Sequence, residues 1–201
     1  MPETPARAAG RPRSPEKEAA ILREALRLLS TEGYAGMTLQ LVADAAGVSK
    51  STIHLRWRTK ADLVTAALES LRQTAPRALT GDTRTDLVGL LHDFAAVLAR
   101  VRGMPMIGTC LAEEAHTPEL LQLLRSRTVL PRRELLLEVL AAARERGELR
   151  EGVDAEAVVS ALLGSFYADY LAGRFAVDEP GAPGWAESCV DVVLAGATHR
   201  R

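Results

Sequence analysis

Cysteine is nearly absent from this chain. Cys110 and Cys189 are the two among 201 residues, and they lie far apart with no metal-ligand or redox spacing. That pattern argues against a disulfide framework and suits a reducing compartment. No apolar run approaches the roughly 18 residues that a membrane span requires. The opening stretch, "MPETPARAAGRPR", lacks the apolar segment of a secretory signal, so the cytoplasm is the expected location. No β-strand alternation, internal repeat or low-complexity segment stands out. Net charge is also small, at −1, but its placement is uneven. Residues 1–60 carry ten Lys and Arg against six Asp and Glu, a net of +4; the remainder carries fifteen against twenty, a net of −5. A basic front on an acidic body points to a polyanion partner at the front.

What the chain does have is apolar material, 47% of its residues, enough to bury a core and to argue against wholesale disorder. Its spacing is helical throughout. Ser14 suits an N-cap, Pro15 a first helical position, and Glu16 and Glu18 the positive end of a helix. Ile21, Leu22, Ala25, Leu26, Leu28 and Leu29 then form one face, with Gly33 as a natural stop. Short helices follow Thr38 (about 39–45) and Ser49 (about 50–56). A fourth opens at Thr59, with Asp62 as a capping-box partner, and is limited by Pro76. Leu87, Leu91, Phe94, Leu98 and Val101 mark a fifth stripe that Gly103 and Pro105 interrupt before a short segment at 106–115. A long helix from 118 to about 146 contains Pro131, where a kink or break is expected. Two more follow, about 155–172 behind Asp154 and about 185–198 behind "DEPGAPG".

Residues 38–57 have the layout of a helix-turn-helix: two short helices around a turn that contains Gly47. Ile53 and Trp57 are four apart and can anchor the second helix inward, while Lys50, Ser51, Thr52, His54, Leu55 and Arg56 surround the rest. A donor-rich helix with a thin anchor suits a DNA major groove; a merely solvated amphipathic helix is the alternative. The run "ILREALRLLSTEGYAGMTLQLVADAAGVSKSTIHLRWRTKADLVTAAL" decides between them. Its "GY…T", "A…AGVSKST", the aromatic at Trp57 and the "TK" after it fall at characteristic spacing, and residues 17–68 resemble the DNA-binding domain of the TetR family of bacterial transcriptional regulators.

The resemblance implies roles residue by residue. Thr38 opens the second helix at a phosphate, with Gln40 facing DNA nearby. Ser49, Lys50, Ser51 and Thr52 open the recognition helix, and Arg56 lies further along it. Thr52, Thr59 and Lys60 approach the backbone, and Lys60 lies at a helix start that already favours anions. His54 departs from the family's usual Tyr; it is either a DNA contact or an exposed surface histidine. Arg58 replaces a common Pro and adds a phosphate contact. Leu55 either touches a thymine methyl or packs beside the domain. Arg11 and Arg13 suit a minor-groove arm, or serve only as a charged tail.

The second half carries no motif, but its length and helix order suit the same family. The expected architecture is all-α, about nine helices, divided into a basic tail (1–13), a three-helix DNA-binding domain (14–58) and a ligand-binding and dimerisation domain (59–201). A homodimer would read a palindromic operator. Leu162, Ser165, Phe166, Tyr170, Val190, Val193 and Leu194 are the expected dimer contacts, with a filled protomer core as the alternative. Leu91, Phe94, Leu98, Met104, Met106, Ile107, Cys110 and Leu111 are the expected lining of an effector pocket, with His92 and Glu114 as polar contacts, although each apolar position also suits plain core. Few aromatics there favour an aliphatic effector. The reading is a repressor released by a small molecule. The alternatives are a DNA-binding dimer without effector and a helical enzyme. For the last, no nucleophile motif, phosphate loop, metal pair or cofactor fingerprint is present, and none is expected.

Overall fold

The computed structural model describes residues 15–71 and 77–198. The expected cap at Ser14, the limit at Pro76 and the arm with Arg11 and Arg13 lie outside them. Helix α1 (Pro15–Gly36) buries Ile21, Leu22, Ala25, Leu26, Leu28 and Leu29. Gly33 breaks it at φ 71°, ψ 173°, a left-handed φ that glycine adopts without steric cost, and a last turn carries the chain to Gly36. Helices α2 (Leu39–Ala45) and α3 (Lys50–His54) start where hydroxyl caps place them. Thr38 Oγ1 accepts from Leu41 N–H at 3.1 Å and Ser49 Oγ from Thr52 N–H at 3.3 Å. Helix α4 (Lys60–Ser70) carries a full capping box, in which Thr59 Oγ1 accepts from Asp62 N–H at 3.1 Å and Asp62 Oδ2 from Thr59 N–H at 3.0 Å. The third helix is shorter than expected, because Leu55 and Arg56 turn out of it toward Trp57.

Helix α5 (Thr83–Arg100) follows an Asp82 cap, and α6 (Gly103–Ala112) leaves it at a 78° bend. The interruption expected at Gly103 and Pro105 is this bend. The helix itself begins at Gly103, so Pro105 falls in its first turn, where a missing N–H costs nothing. A Cβ at Gly103 would lie 2.4 Å from Leu98 Cδ2, so a larger residue at the corner would push the Leu98 side chain aside. Helix α7 (Pro118–Leu124) continues through a π-turn (Arg125–Val129) into α8 (Leu130–Glu145). The π-turn is how the rod accommodates Pro131. Proline's ring crowds the preceding turn and removes a donor, and the wider turn, with Leu130 N–H bonding Arg125 O, absorbs both. Helices α9 (Ala155–Leu171) and α10 (Trp185–Ala197) complete the described residues, α9 starting behind the Asp154 cap. Among the described residues ten α segments thus form nine rods, all-α as expected.

Two apolar cores organise these rods. The first joins α1 to α4 with Met106 and Cys110 of α6 and Leu120, Leu121 and Leu124 of α7. The second joins α5, α8, α9 and α10 around Leu91, Phe94, Leu140, Leu162, Phe166 and Trp185. Ile107 packs against both. Each buried Leu contributes about 1.5–3 kcal/mol. A cap contributes about 1 and an exposed ion pair less. Packing therefore sets the fold, and the caps set where the helices begin.

Candidate nucleic-acid interface and inner cavity

The first core fixes α3 by one edge. Ile53 is fully buried and Trp57 nearly so, and Val48 plugs the turn behind them. The opposite edge is outward: Lys50, Ser51, His54, Leu55 and Arg58 are all exposed. Leu55 is 86% exposed, the most exposed large apolar side chain among the described residues. It does not pack beside the domain, which removes one of its two expected readings.

Among the described residues the other expected contacts are already engaged inside the protein. Ser49 Oγ lies 2.9 Å from Ser51 Oγ and 2.8 Å from Thr52 Oγ1, a hydroxyl cluster at the start of α3. Thr38 and Thr59 act as caps, and Gln40 donates to Asp44 on the same helix at 2.8 Å. Lys60 Nζ donates to Tyr34 O at 2.5 Å and lies 4.2 Å from the centre of the Tyr34 ring. Burial, and then the charge of Glu119, raise the Tyr34 phenol above its ordinary value, so this ring is neutral beneath the lysine. Arg56 corrects an expectation. It does not face outward with Lys50 but turns to α1, with Nη1 3.3 Å from Glu18 Oε2. It braces the recognition helix instead of extending its surface.

The expected effector residues divide. Phe94, Leu98, Met106 and Ile107 do line one small cavity of about 30 Å³. Leu124, Thr128, Val129, Arg132, Leu163 and Tyr167 complete it. Leu91, His92, Met104, Cys110, Leu111 and Glu114 do not line it. Leu91 is core, and Met104 is half-buried against the second core. His92 pairs on the surface with Glu187 at 2.9 Å, and Glu114 with Arg125 at 3.4 Å. Leu111 faces solvent. Cys110 is packed in the first core, and burial pushes its thiol up to about 11, which makes it an inert apolar filler. Phe94 and Tyr167 meet edge to face at 5.9 Å, so the cavity is more aromatic than the sequence implied. A wider surface cleft of about 890 Å³ lies between α1 and the α5–α6 corner. Its rim of Glu18, Arg23, Glu24, Arg27, Arg100 and Arg102 makes it a poorer host for an apolar molecule than the inner cavity.

Among the expected dimer contacts, Leu162, Phe166 and Val190 point into the protomer's own core and are at most 1% exposed. Phe166 is ringed by Phe94, Phe175 and Trp185, and Ser165 accepts from Trp185 Nε1 at 2.9 Å. Tyr170, Val193 and Leu194 are half-buried against the same core. The outward face of these two helices is made instead of Ala161, Ala168 and Leu171 on α9 and Val192, Ala195 and Gly196 on α10. Sequence spacing offered Ala161, Ala168 and Val192 together with the inner residues, because α9 is apolar on most of its circumference and periodicity alone does not separate the inner from the outer side.

Residues 77–193 match the family described as tetracyclin repressor-like, C-terminal domain, and residues 21–67 match the bacterial regulatory proteins, tetR family. The chain belongs to the TetR family of transcriptional regulators. It is 32% identical over 200 residues to the uncharacterized HTH-type transcriptional regulator Rv1556 of Mycobacterium tuberculosis, covering 96% of this chain and 95% of that one. The DNA-binding transcriptional repressor TetR of Mycobacteroides abscessus is 37% identical over 81 residues, covering 39% of this chain and 43% of that one. The crystal structure of the TetR family transcription regulator SCO0332 superposes with a TM-score of 0.62 at 31% identity, covering 90% of this chain and 98% of that one. As a TetR-family regulator the protein binds DNA through α2 and α3 and acts in the cytoplasm; TetR regulators work by binding, not by catalysis.

Proposed function

We propose that this regulator is a repressor that binds a near-palindromic operator as a homodimer and leaves it when a small molecule enters the inner cavity. The observation that carries the DNA-reading part is the outward row Lys50, Ser51, His54, Leu55 and Arg58 on an α3 anchored by Ile53 and Trp57. Lys50 and Arg58 hold phosphates, together with Thr38 and Lys60 once Lys60 leaves Tyr34. Ser51, His54 and Leu55 read base edges, Leu55 through a thymine methyl. The proposed division of the chain remains tail, reading head and effector body, with Arg11 and Arg13 as a minor-groove arm.

A second copy is supported by the outer face of α9 and α10. Small residues there let another helix pair approach closely, and Leu171 and Val192, 80% and 75% exposed, would be covered. Release is supported by the cavity's place between the two cores, where a bound molecule changes how the reading head packs on the body. A ligand shifts DNA affinity only if it binds the two arrangements unequally.

The test is selection from a randomised DNA pool at two salt concentrations, followed by sequencing. Enrichment of an inverted repeat that weakens with salt is the expected outcome. A folded protein that enriches nothing, or only a single half-site, overturns the dimeric reading.

A further inference from the structure

The inner cavity contains two polar groups that the apolar packing does not explain. Thr128 is 8% exposed, and its Oγ1 is buried without a hydrogen-bond partner. A buried hydroxyl left unsatisfied is costly, and a threonine within a helix ordinarily has a carbonyl in the preceding turn to bond. Here the π-turn that holds Thr128 changes that geometry. Arg132, one turn later, brings its guanidinium to the same cavity, 5.1 Å from the centre of the Phe94 ring. Among the described residues no carboxylate pairs with it. Asp93, the acidic group that acts on it electrostatically, is held by both arms of Arg77 at 2.8 and 2.9 Å. Burial, the largest influence, pulls the Arg132 guanidinium below its ordinary value, and the neighbouring Tyr167 and Asp93 only partly oppose this. Arginine stays charged even so, which leaves a half-buried cation against Phe94 and Tyr167 with no carboxylate on it.

Arg133, the next residue, shows the contrast. It pairs on the surface with Glu156 and Ser160, as an arginine on a helix ordinarily does. Arg132 instead turns to the cavity and forgoes such a partner. Such a charge is retained where an anion completes it.

We infer that the effector is an amphipathic carboxylate, its anionic head on Arg132 and the Thr128 hydroxyl and its apolar body along Phe94, Leu98, Met106 and Leu163. The inference rests on the effector reading above and gives it a chemical class. At about 30 Å³ the cavity holds little more than water, whereas ligand sites usually run to ~300 Å³ or more, so binding widens it. The widening acts on the seam. Leu98 and Phe94 belong to the second core, Met106 and Leu124 to the first. Thr128 lies in the π-turn whose Arg127 pairs with Glu69 of α4 at 3.0 Å. A carboxylate drawn onto Thr128 displaces that turn and moves α4, the helix that begins at Lys60.

The test uses octanoate, octan-1-ol and octylamine, which share a tail and differ in head group, with the shorter alkanoates as a length series. Thermal unfolding and operator binding are measured for the wild type, Arg132→Met and Thr128→Val. Octanoate is expected to raise the melting temperature and lower operator affinity, while octanol and octylamine do neither at the same concentration. Affinity rises roughly fourfold per added CH2 until the cavity is filled. Arg132→Met abolishes the octanoate response, and Thr128→Val weakens it several-fold. Without ligand, Arg132→Met melts higher than the wild type, because a partly desolvated charge with no carboxylate partner has been replaced by an apolar side chain; a purely structural cation–ring contact predicts the reverse. Equal octanoate binding by Arg132→Met, or no alkanoate binding at all, overturns the proposal. Should octylamine or octanol release the operator while octanoate does not, the effector reading stands and the carboxylate assignment falls. Arg132-dependent octanoate binding that leaves operator affinity unchanged establishes the carboxylate site and removes the release reading.

Discussion

At the level of single side chains, the reading head separates groups that hold DNA from groups that choose it. Lys60→Ala is expected to weaken binding to all sequences about equally and to lower the salt dependence by about one unit per lost phosphate contact. Leu55→Ser is expected to change which sites are preferred, mainly at one position of each half-site, with less loss of general affinity. Selection from the same randomised pool with both variants decides this, and a Lys60→Ala protein with altered preference at unchanged affinity contradicts it. A different kind of residue is Asp86, a carboxylate 3% exposed. Burial alone raises its pKa, but donation from Thr80 N–H at 2.8 Å, the Thr80 hydroxyl at 2.8 Å and Gly81 N–H at 3.0 Å outweighs this and holds it below the ordinary carboxylate value. The folded pKa lies under the unfolded one, so its contribution is complete above about pH 4 and disappears as pH falls through the folded value. Asp86→Asn should therefore lower stability at neutral pH and flatten the acid side of the melting-temperature profile. Parallel profiles for variant and wild type would show that Asp86 is not the group responsible.

Among the helices, start points were the most legible feature of the sequence and internal irregularities the least. Thr38, Ser49, Thr59 and Asp154 each cap a helix at the expected residue, because a hydroxyl or carboxylate before an apolar-periodic run has one favourable local arrangement. The α4 capping box is the clearest case. Thr59→Ala removes one of its two hydrogen bonds and is expected to cost about 1 kcal/mol, or roughly 2–4 °C in melting temperature for a chain of this size. An unchanged melting temperature would mean that packing of Leu63 and Leu68 alone fixes the helix start. By contrast, Pro131 announced a disturbance but not its form, since a π-turn leaves the apolar spacing almost unaltered. Arg56 was misread for a related reason: its partner Glu18 lies on another helix, and pairing across helices leaves no trace in local spacing. Thr128 and Arg132 were missed because a polar residue on a helix reads as a solvated one, and only the packing of Phe94 and Tyr167 from other helices shows that these two line a cavity.

For the molecule as a whole, the oligomer and the two cores are the relevant units. Leu171→Glu combined with Val192→Glu places two charges on the outer face of α9 and α10 and leaves the inner residues Leu162, Phe166 and Val190 untouched. The double variant is expected to sediment as a folded monomer and to lose most of its affinity for a palindromic site. It should retain weak, salt-sensitive binding to single half-sites. If it remains dimeric, the interface lies elsewhere.

The rod made by α7, the π-turn and α8 joins the two cores. Leu120, Leu121 and Leu124 at one end pack with the reading head, and Leu136, Val139, Leu140 and Ala143 at the other pack with the body. This limits how the protein can be cut and recombined. A hybrid regulator that exchanged residues 1–76 for those of another family member would tear three leucines away from the surface they evolved to meet. An exchange that carried Met106, Cys110 and the leucines of α7 along with the head would keep that contact whole. Modularity in this chain therefore follows the packing of its interior and not the order of its sequence.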